Sequence, residues 1–319
     1  MNIIKTVSTF LTNHNIQQKS ILIAVSGGRD SMTLLHCLSA LREKFRLSLS
    51  AAYINHHIRE DSDDEEAFVT NRIAAMQDVT LHKHTVDRNY WTDHPGNVEE
   101  TARRIRYDFF RQICDEHHID YTATAHHFDD RIETFFINLL RGGGVETLCS
   151  ISEYSDRIIR PLLAVSRSDI DCYIADNNIR YIDDSTNSGD GYLRNRIRHH
   201  LIPALSDISD HYQQSFAHVF DFLTENAAAA EWMTDQAMSA VTYPDAFSAV
   251  IDRRRFSDYP AAVRKNVIKR IIAELHYPCA ISLPLLETLN SSGRIVYRSS
   301  HLSARSKNGK LYIKNELSD

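Results

Sequence analysis

The sequence predicts an α/β protein, in which a large domain with a parallel sheet is followed by a helical linker and a smaller α+β domain. Short β-like runs alternate with helical patterns through the first half of the chain, as in sheets with crossover helices. Residues 21–25 are apolar without alternation, which is typical of a strand covered on both faces. The composition changes near residue 205, which indicates a domain boundary.

The first half contains four predicted strands, each followed by a predicted helix. The strands are residues 21–25, 49–54, 80–86 and 121–125. The helices are residues 31–44, 63–77, 97–117 and 129–140. A further helical pattern at 166–177 precedes a polar segment at 183–191. We therefore expect a Rossmann-like parallel sheet with crossover helices in a domain that spans residues 1–210.

The second half has a different pattern. Residues 211–240 form a long helical pattern, and we expect a helical linker at 211–245. Residues 262–276 are an amphipathic helix pattern, and 294–314 alternate like antiparallel strands with a turn at 307–309. These patterns predict a small C-terminal domain at 246–319.

Composition and charge limit the functions that this chain could have. The chain has 319 residues and a net charge of −6, which by itself disfavours a bulk nucleic-acid binder. Basic residues are nevertheless concentrated at 103–106, 194–198 and 253–255, so a local basic face remains available for phosphates. The five cysteines form no C-x-x-C pair, and no apolar run approaches the roughly 20 residues of a membrane span. We expect a cytoplasmic protein.

The segment Ser26-Gly27-Gly28-Arg29-Asp30-Ser31 directly follows the first strand and predicts a phosphate-binding loop. The two glycines permit a tight turn and a close approach of backbone N–H groups to an anion. The next helix begins here, and its dipole favours a phosphate. A Walker A motif and its lysine are absent, so the loop suits a pyrophosphate that leaves intact. The alternative interpretation is a glycine turn with an Asp or Ser helix cap.

Further motifs follow this loop in an ordered series. They are NHHIREDS (55–62), NVEETARRIRY (97–107), TAHHFDDRIET (124–134), LRGGG (140–144), RPLL (160–163), DSTN (184–187) and RNRIR (194–198). Together with the loop, they resemble the N-type ATP pyrophosphatase (PP-loop) superfamily and, within it, the tRNA(Ile)-lysidine synthetases. One departure is Arg131, which stands where that family usually has Gln.

The resemblance implies an activity, its cofactors and its partners. ATP, with Mg²⁺, would adenylate the 2-carbonyl oxygen of the wobble cytidine in an isoleucine tRNA with a CAU anticodon. The ε-amine of free L-lysine would then displace AMP and give lysidine. The oligomeric state is left open, with a homodimer as one arrangement, and no membrane is involved.

Five residues are candidates for the catalytic chemistry: Asp30, Asp130, Glu133, Arg106 and His127. Asp30 is the candidate metal ligand, since Mg²⁺ prefers one or two carboxylates plus phosphate oxygens. Asp130 and Glu133 share a helix face and could hold the lysine ammonium, take its proton or share a metal. The resemblance favours these roles over dipole compensation on a solvated helix face.

Substrate-binding candidates come from two basic segments. They are Asn97 and Arg104 on one predicted helix, and Arg194, Asn195, Arg196 and Arg198 after the polar segment. Guanidinium groups bind phosphate oxygens well, although a solvated basic surface is the competing interpretation. Arg253, Arg254 and Arg255 are candidates for contacts with the tRNA backbone.

Three other functions compete with this one. A PP-loop tRNA thiolase also activates a base carbonyl, but thiolation usually needs paired or clustered cysteines, and the spacings here offer none. An amidotransferase synthetase would need a source of ammonia, and no glutaminase motif is present. A non-catalytic ATP sensor is disfavoured by Asp30, Asp130 and Glu133.

Overall fold

The computed structural model describes residues 2–58, 61–76, 78–94, 96–149, 151–182, 192–276, 283–290, 293–299 and 301–316. The predicted polar segment at 183–191, the DSTN motif and residues 59–60 of the NHHIREDS motif lie outside these ranges. The chain divides into two compact units, Met1–Phe216 and Ala217–Asp319. The division falls within one long helix, Tyr212–Ala237.

The first unit contains a six-stranded sheet in the order β3-β2-β1-β4-β6-β5. All neighbouring strands pair in parallel except β5, which runs antiparallel to β6 at one edge. The strands are β1 (Ser20–Ala24), β2 (Ser48–Asn55), β3 (Val79–Thr85), β4 (Tyr121–Ala123), β5 (Tyr154–Ser155) and β6 (Ile158–Ile159). The predicted parallel sheet and its four strands are confirmed.

Helices connect these strands. They are α1 (Ile3–Asn13), α2 (Arg29–Phe45), α3 (Ser62–Ala74), α4 (Tyr90–Asp93), α5 (Val98–Glu116), α6 (Phe128–Leu140), α7 (Val145–Leu148), α8 (Arg167–Asn177), α9 (Leu193–Arg196) and α10 (Ile202–Ile208). The five helices predicted for this half are confirmed, with ends that differ by at most three residues. One π-helical turn, Ile197–Leu201, joins α9 to α10.

Strand β1 is buried on both faces of the sheet, as its apolar run predicts. Ile21 and Ile23 pack into a core with α1, α2 and α8, whereas Leu22 packs with Phe109 and Phe110 of α5 on the opposite face. Successive side chains of a strand point to opposite faces of the sheet, so an unbroken apolar run contributes to the cores on both faces. The result is a three-layer α/β/α unit.

The strand order creates a crevice at one point of the sheet. The chain moves outward from β1 to β2 and β3 on one side, and from β4 to β6 on the other. In open parallel sheets, ligands bind beyond the carboxyl ends of the strands where the order reverses. Here that point lies between β1 and β4, so the segments that follow these two strands flank the crevice.

The second unit has an antiparallel sheet in the order β7-β8-β11-β10-β9. Its core is formed by one sheet face and the buried side of α13, including Val267, Ile268 and Ile271. The elements from the long helix onward are α11 (Tyr212–Ala237), a 3₁₀ turn (Met238–Ala240), β7 (Val241–Asp245), β8 (Ser248–Asp252), α12 (Arg253–Ser257), α13 (Ala261–Glu274), α14 (Leu283–Asn290), β9 (Val296–Arg298), β10 (Leu302–Lys307) and β11 (Lys310–Asn315). The predicted α+β class of this region is confirmed.

Some elements differ from the expectations. The linker assigned to 211–245 is helical only to Ala240, and Val241–Asp245 is a strand of the second sheet. Its Val-Thr-Tyr start has high β-propensity, which explains the difference. Helix α1 and the short β5–β6 hairpin were not predicted. No helix within the described ranges is long and apolar enough to cross a membrane.

Candidate active site

The segment after β1 forms a tight loop that is braced by its own serines. The Ser31 hydroxyl accepts a hydrogen bond from the Ser26 backbone N–H at 3.1 Å and donates to the Gly28 carbonyl at 2.9 Å. The first backbone hydrogen bond within α2 runs from Met32 N–H to the Gly28 carbonyl at 3.0 Å. The N–H groups of a helix's first turn have no intrahelical acceptor, so this loop presents backbone donors for an anion.

Gly27 fits this loop because of its backbone conformation and its surroundings. Its φ is +80°, in the left-handed region. A Cβ atom here would lie 3.2 Å from Cγ2 of Val69 and 3.6 Å from Cδ1 of Phe68. The Gly27 carbonyl also accepts a hydrogen bond from the Ile182 N–H at 3.0 Å.

Asp30 lies in the first turn of α2, and the helix N-cap is Gly28. The capping alternative therefore does not account for Asp30. Instead, the Asp30 carboxylate accepts hydrogen bonds from Nη1 of Arg167, at 2.7 Å to Oδ1 and 2.8 Å to Oδ2. Its Oδ2 also lies 3.8 Å from Nε2 of His127. Asp30 thus joins the loop after β1 to residues that follow β4 and β6.

The segment after β4 places a histidine and two aspartates at the start of α6. His127 is the N-cap, is only 3% exposed, and its backbone N–H donates to Oδ2 of Asp130 at 2.9 Å. Its ring atom Nε2 lies 3.6 Å from the same oxygen, and Nδ1 lies 3.5 Å from Oδ2 of Asp129. Asp129 also accepts the Arg167 backbone N–H at 2.8 Å. One imidazole is therefore surrounded by three carboxylates.

Glu133 lies one helical turn further and is fully buried. Arg198 binds it in a bidentate manner, from Nε to Oε1 at 2.6 Å and from Nη2 to Oε2 at 3.0 Å. Nη2 of Arg198 also lies 3.6 Å from Oδ1 of Asp130, and Nε of Arg194 lies 3.5 Å from Oε2 of Glu133. These two predicted carboxylates and two predicted arginines therefore form one cluster.

The pKa values in this cluster shift in different directions. Burial opposes protonation of His127, but the nearby carboxylates of Asp130, Asp129 and Asp30 outweigh it and raise the pKa of His127 to about 9. Burial would raise the pKa of Asp130, but His127, His126 and Arg198 lower it below its ordinary value. Burial raises the pKa of Glu133 despite the opposing effect of Arg198.

The structure separates Arg196 from its neighbours in the RNRIR motif. Arg194 and Arg198 are four residues apart and share a helix face, whereas a residue at an intermediate position points elsewhere. The Arg196 side chain is exposed and forms no ion pair with the carboxylates among the described residues, so its substrate contact remains a prediction. Arg198 belongs to the π-helical turn, a rare geometry that is frequent at functional sites. Asn195 lies between the two inward arginines along the chain.

The predicted residues on α5 are not part of the carboxylate cluster. Asn97 is the N-cap of α5, and its Oδ1 accepts the Glu100 N–H at 3.3 Å. Arg104 and Arg106 have exposed side chains, and neither forms an ion pair with the described carboxylates of the cluster. Partial burial of His56 lowers the pKa of its imidazole to about 4, and the charge of Arg106 adds to this effect. The substrate contacts of these three residues remain predictions.

Three residues of the site were not predicted from the sequence. They are Arg167, Asp129 and Asp171, and Asp171 accepts a hydrogen bond from Nη1 of Arg29 at 2.9 Å. Arg167 begins the helix that follows β6, at the same sheet edge as the phosphate loop. Functional groups gather at that edge, but strand β6 was not predicted, so no sequence signal placed Arg167 there.

The carboxylates of the site are compatible with a Mg²⁺ ion that is bound chiefly through the phosphates of a nucleotide. No group of three or more His, Cys, Asp or Glu residues within the described ranges could hold a metal by itself. Mg²⁺ commonly binds through one or two carboxylates together with substrate phosphates. Asp30, in the first turn of α2 directly after the loop, is the carboxylate that would hold the metal together with the phosphates.

Comparisons with known proteins agree with this geometry. A family model described as the PP-loop domain matches residues 1–205. A tRNA(Ile)-lysidine synthase from Petrotoga mobilis is 35% identical over 66% of this chain and 69% of its own length. The enzyme of the same name from Parabacteroides distasonis is 30% identical over 93% of this chain and 67% of its own length.

Two further comparisons show how far the similarity extends. The tRNA(Ile)-lysidine synthase of Geobacillus kaustophilus is 28% identical over 86% of this chain, which spans 60% of that relative's length. A U34-tRNA thiolase from Methanococcus maripaludis, solved with its 4Fe–4S cluster, has a TM-score of 0.60 over 70% of this chain and 78% of its own. At 15% identity, that likeness concerns the fold alone. The family match and the lysidine synthase relatives show that the chain belongs to the PP-loop family and, within it, to the tRNA(Ile)-lysidine synthases.

Proposed function

We propose that this chain ligates free L-lysine to carbon 2 of the wobble cytidine of an isoleucine tRNA with a CAU anticodon, and converts ATP to AMP and pyrophosphate. The observation that carries this proposal is the continuity of charged groups across the crevice. Asp30 at the phosphate loop lies 3.8 Å from His127, which lies 3.6 Å from Asp130, beside buried Glu133. A nucleotide and an amine can therefore be bound next to each other.

In the first step, the 2-carbonyl oxygen of cytidine attacks the α-phosphate of ATP, and pyrophosphate leaves. The backbone donors of the loop at 26–31 face the phosphates. Mg²⁺ on Asp30 and the nucleotide would stabilise negative charge on the phosphate oxygens. The carboxylates around His127 keep it protonated near neutral pH despite its burial, because they raise its pKa to about 9. It thus supplies a fixed positive charge beside the loop.

In the second step, the lysine ε-nitrogen bonds to carbon 2 of the activated base, and AMP leaves with the former carbonyl oxygen. The ammonium must lose protons before and during this attack. Asp130, whose pKa is lowered, remains ionised and attracts the ammonium. Glu133, whose pKa burial raises, is the better proton acceptor of the two. Pairs of acids with opposite shifts commonly divide these two tasks.

The second unit offers a surface for the tRNA backbone. In its sheet, Arg305 pairs with Tyr312, Ser303 with Lys314 and Lys307 with Lys310, so these side chains share one face. The opposite face packs on α13. Exposed residues of the outer face are Arg298, Arg305, Lys307, Lys310, Tyr312 and Lys314. A basic face with an exposed aromatic ring suits the backbone and bases of RNA.

The thiolase alternative receives less support from the side chains. Thiolation requires thiols that can react together. Cys37 and Cys114 are buried, and burial raises the pKa of Cys37 to about 12. Among the described residues, no cysteine belongs to a group that could hold a metal. Lysine ligation, which needs carboxylates rather than thiols, fits the crevice better, and its substrates tRNA and ATP favour a cytoplasmic location.

The proposal is tested by incubating the purified protein with ATP, Mg²⁺, labelled lysine and an isoleucine tRNA transcript that carries CAU. We expect lysine to enter the tRNA while AMP and pyrophosphate appear in equal amounts. A transcript with U at the wobble position is the matched control, because it lacks the cytosine that accepts lysine. ADP as the only nucleotide product, or dependence on a sulfur donor instead of lysine, would refute the proposal.

A further inference from the structure

Arg167 joins the phosphate loop to α6 and α8 at the mouth of the crevice. Its Nη1 contacts both oxygens of Asp30, and its backbone N–H donates to Asp129. The preceding residue, Ser166, caps α8 by accepting the Asp169 N–H at 3.1 Å. The backbone of Arg167 is thus fixed independently of its side chain, so the guanidinium is held over Asp30 by the fold.

The negative charge of the Asp30 carboxylate repels the phosphates that its own loop would bind. The loop presents backbone donors for phosphates, but Asp30 adds a carboxylate in the first turn of the same helix. An unbalanced carboxylate within a few ångströms of a triphosphate repels it, more strongly in a partly buried site than in water. His127, with Nε2 at 3.8 Å, is shared with two other carboxylates. Arg167, which donates hydrogen bonds directly to Asp30, therefore balances most of that charge.

We propose that Arg167 is a positioning residue of the nucleotide site, which acts through Asp30. Its guanidinium orients the Asp30 carboxylate and cancels its charge, so that a triphosphate can approach the loop. The inference rests on the proposed ATP-dependent function, whose first requirement is ATP binding. It assigns a role to a residue that lies outside the Ser26–Ser31 loop and outside the acidic cluster of α6.

The neighbours of Arg167 agree with a charge-balancing role. Asp171, one turn further along α8, lies 3.9 Å from Nε of Arg167 and accepts a hydrogen bond from Arg29. Arginine and aspartate thus alternate from Arg29 through Asp171 and Arg167 to Asp30. Each carboxylate of this row has an arginine partner, and a change at Arg167 leaves Asp30 without its closest one.

The test is calorimetric titration of the full chain with ATP in EDTA, without lysine or tRNA, so that no turnover occurs. We expect Arg167→Ala to weaken ATP binding by about tenfold, the effect of losing one charge-assisted interaction. Arg167→Lys, which keeps the charge, should recover part of the loss. Arg111→Ala is the matched control, because Arg111 is exposed on α5 and pairs with Asp108 at 3.0 Å.

A double variant distinguishes action through Asp30 from a direct phosphate contact or a purely structural role. If Arg167 balances Asp30, then Arg167→Ala combined with Asp30→Asn should bind ATP in EDTA nearly as tightly as the wild type. Thermal unfolding of each variant checks that the fold persists. The inference is overturned if Arg167→Ala binds ATP normally, or if the double variant binds no better than Arg167→Ala. Wild-type binding that requires Mg²⁺ would also overturn the inference, because the metal and not Arg167 would then balance Asp30. Failure of the wild type to bind ATP both in EDTA and with Mg²⁺ would instead refute the proposed function as well.

Discussion

Asp130 and Glu133 lie on one face of α6, and their carboxyl groups differ in what surrounds them. Asp130 lies beside His127 and accepts the backbone N–H of that residue, and these contacts favour its ionised form. Glu133 has no exposed surface, and its charge is balanced by the bidentate contact of Arg198 and by Arg194 at 3.5 Å. A buried carboxylate stays ionised only while its cationic partners remain in place. The roles proposed for the two acids, attraction of the ammonium by Asp130 and proton transfer to Glu133, rest on this difference.

At Asp30, we predict that replacement by alanine abolishes AMP release while the protein remains folded. The substitution removes the carboxylate at the phosphate loop, but it leaves Gly28 as the N-cap of α2. The measurement is AMP formation in the complete reaction, with the circular dichroism spectrum as the check on folding. Asp108→Ala, a surface change on α5, is the control. Near-normal turnover by Asp30→Ala would remove Asp30 from the mechanism.

At Glu133, we predict that replacement by glutamine impairs the lysine-dependent step and also destabilises the fold. The amide keeps the volume but leaves Arg198 without its closest anionic partner. This loss should cost about 2 kcal/mol, below the range for fully buried pairs because Arg198 is partly exposed. Urea unfolding measures the free energy of unfolding, and kcat of the lysine-dependent step measures the loss of the proton acceptor. Glu116→Gln, at an exposed position of α5, is the matched control. An unchanged kcat would argue against Glu133 as the proton acceptor.

The raised pKa of His127 makes part of the stability depend on pH. The folded protein holds this proton up to a pKa of about 9, whereas the unfolded chain releases it near 6.5. The contribution is therefore fully present below pH 6.5, declines between these values and is lost as the pH rises through 9. Its upper limit is about 3 kcal/mol, from the size of the shift.

The measurement is the free energy of unfolding of the wild type and of His127→Asn at several pH values. We expect the advantage of the wild type to shrink steadily between about pH 6.5 and 9, because only the wild type loses a favourable proton there. Comparison of the two proteins cancels the titration of the other groups. A difference that stays constant with pH would show that His127 does not carry the shifted proton.

Among the structural elements, the phosphate loop offers a test of close packing. Gly27 and Gly309 both have positive φ, +80° and +75°, but only the surroundings of Gly27 are crowded. A methyl group at Gly27 would meet Val69, whereas nothing lies within 4 Å of one at Gly309. Both alanine variants should lose about 1 kcal/mol from backbone strain.

Only Gly27→Ala should weaken ATP binding, because it shifts the loop as well as straining it. Calorimetric titration with ATP measures this effect, and chemical unfolding measures the shared strain. We expect Gly309→Ala to bind ATP like the wild type. Equal ATP affinity in the two variants would contradict the assignment of the 26–31 loop to the nucleotide.

The elements near the site also explain what the sequence could predict and what it could not. The apolar run of β1 and the glycines after it predict a strand, a turn and a phosphate loop, because each signal is local. The link from Arg167 to Asp30 joins residues 137 positions apart, and no local pattern encodes it. Arg196 has the same composition and spacing signals as Arg194 and Arg198. Only the helix phase separates it from them, so the motif alone could not show which of the three arginines meet the carboxylates.

At the scale of the whole molecule, the two units divide the chemistry proposed here. The first unit contains the nucleotide crevice, and the second has a basic sheet face that suits RNA. We predict that Arg305→Ala combined with Lys310→Ala weakens tRNA binding and reduces the salt dependence of log affinity by a slope of about two, one for each lost phosphate contact. Filter binding over a series of salt concentrations measures both quantities.

The control for this variant is Lys265→Ala, which removes a lysine from α13 that lies 3.5 Å from Glu287. We expect its tRNA affinity and salt slope to equal those of the wild type. ATP binding should be normal in all three proteins, since the changed residues belong to the second unit. A double variant with unchanged affinity and slope would remove this sheet face from the RNA-binding surface.

The central claim is that this chain joins lysine to the wobble cytidine, and the most direct measurement is nucleoside analysis of the reacted tRNA. The isoleucine transcript with CAU is incubated with protein, ATP, Mg²⁺ and lysine, then digested and examined by mass spectrometry. The account predicts a nucleoside with the mass of cytidine plus one lysine minus one water, formed at the wobble position and absent without ATP. Unmodified cytidine in a protein that binds ATP and tRNA, or a thiolated nucleoside, would contradict it.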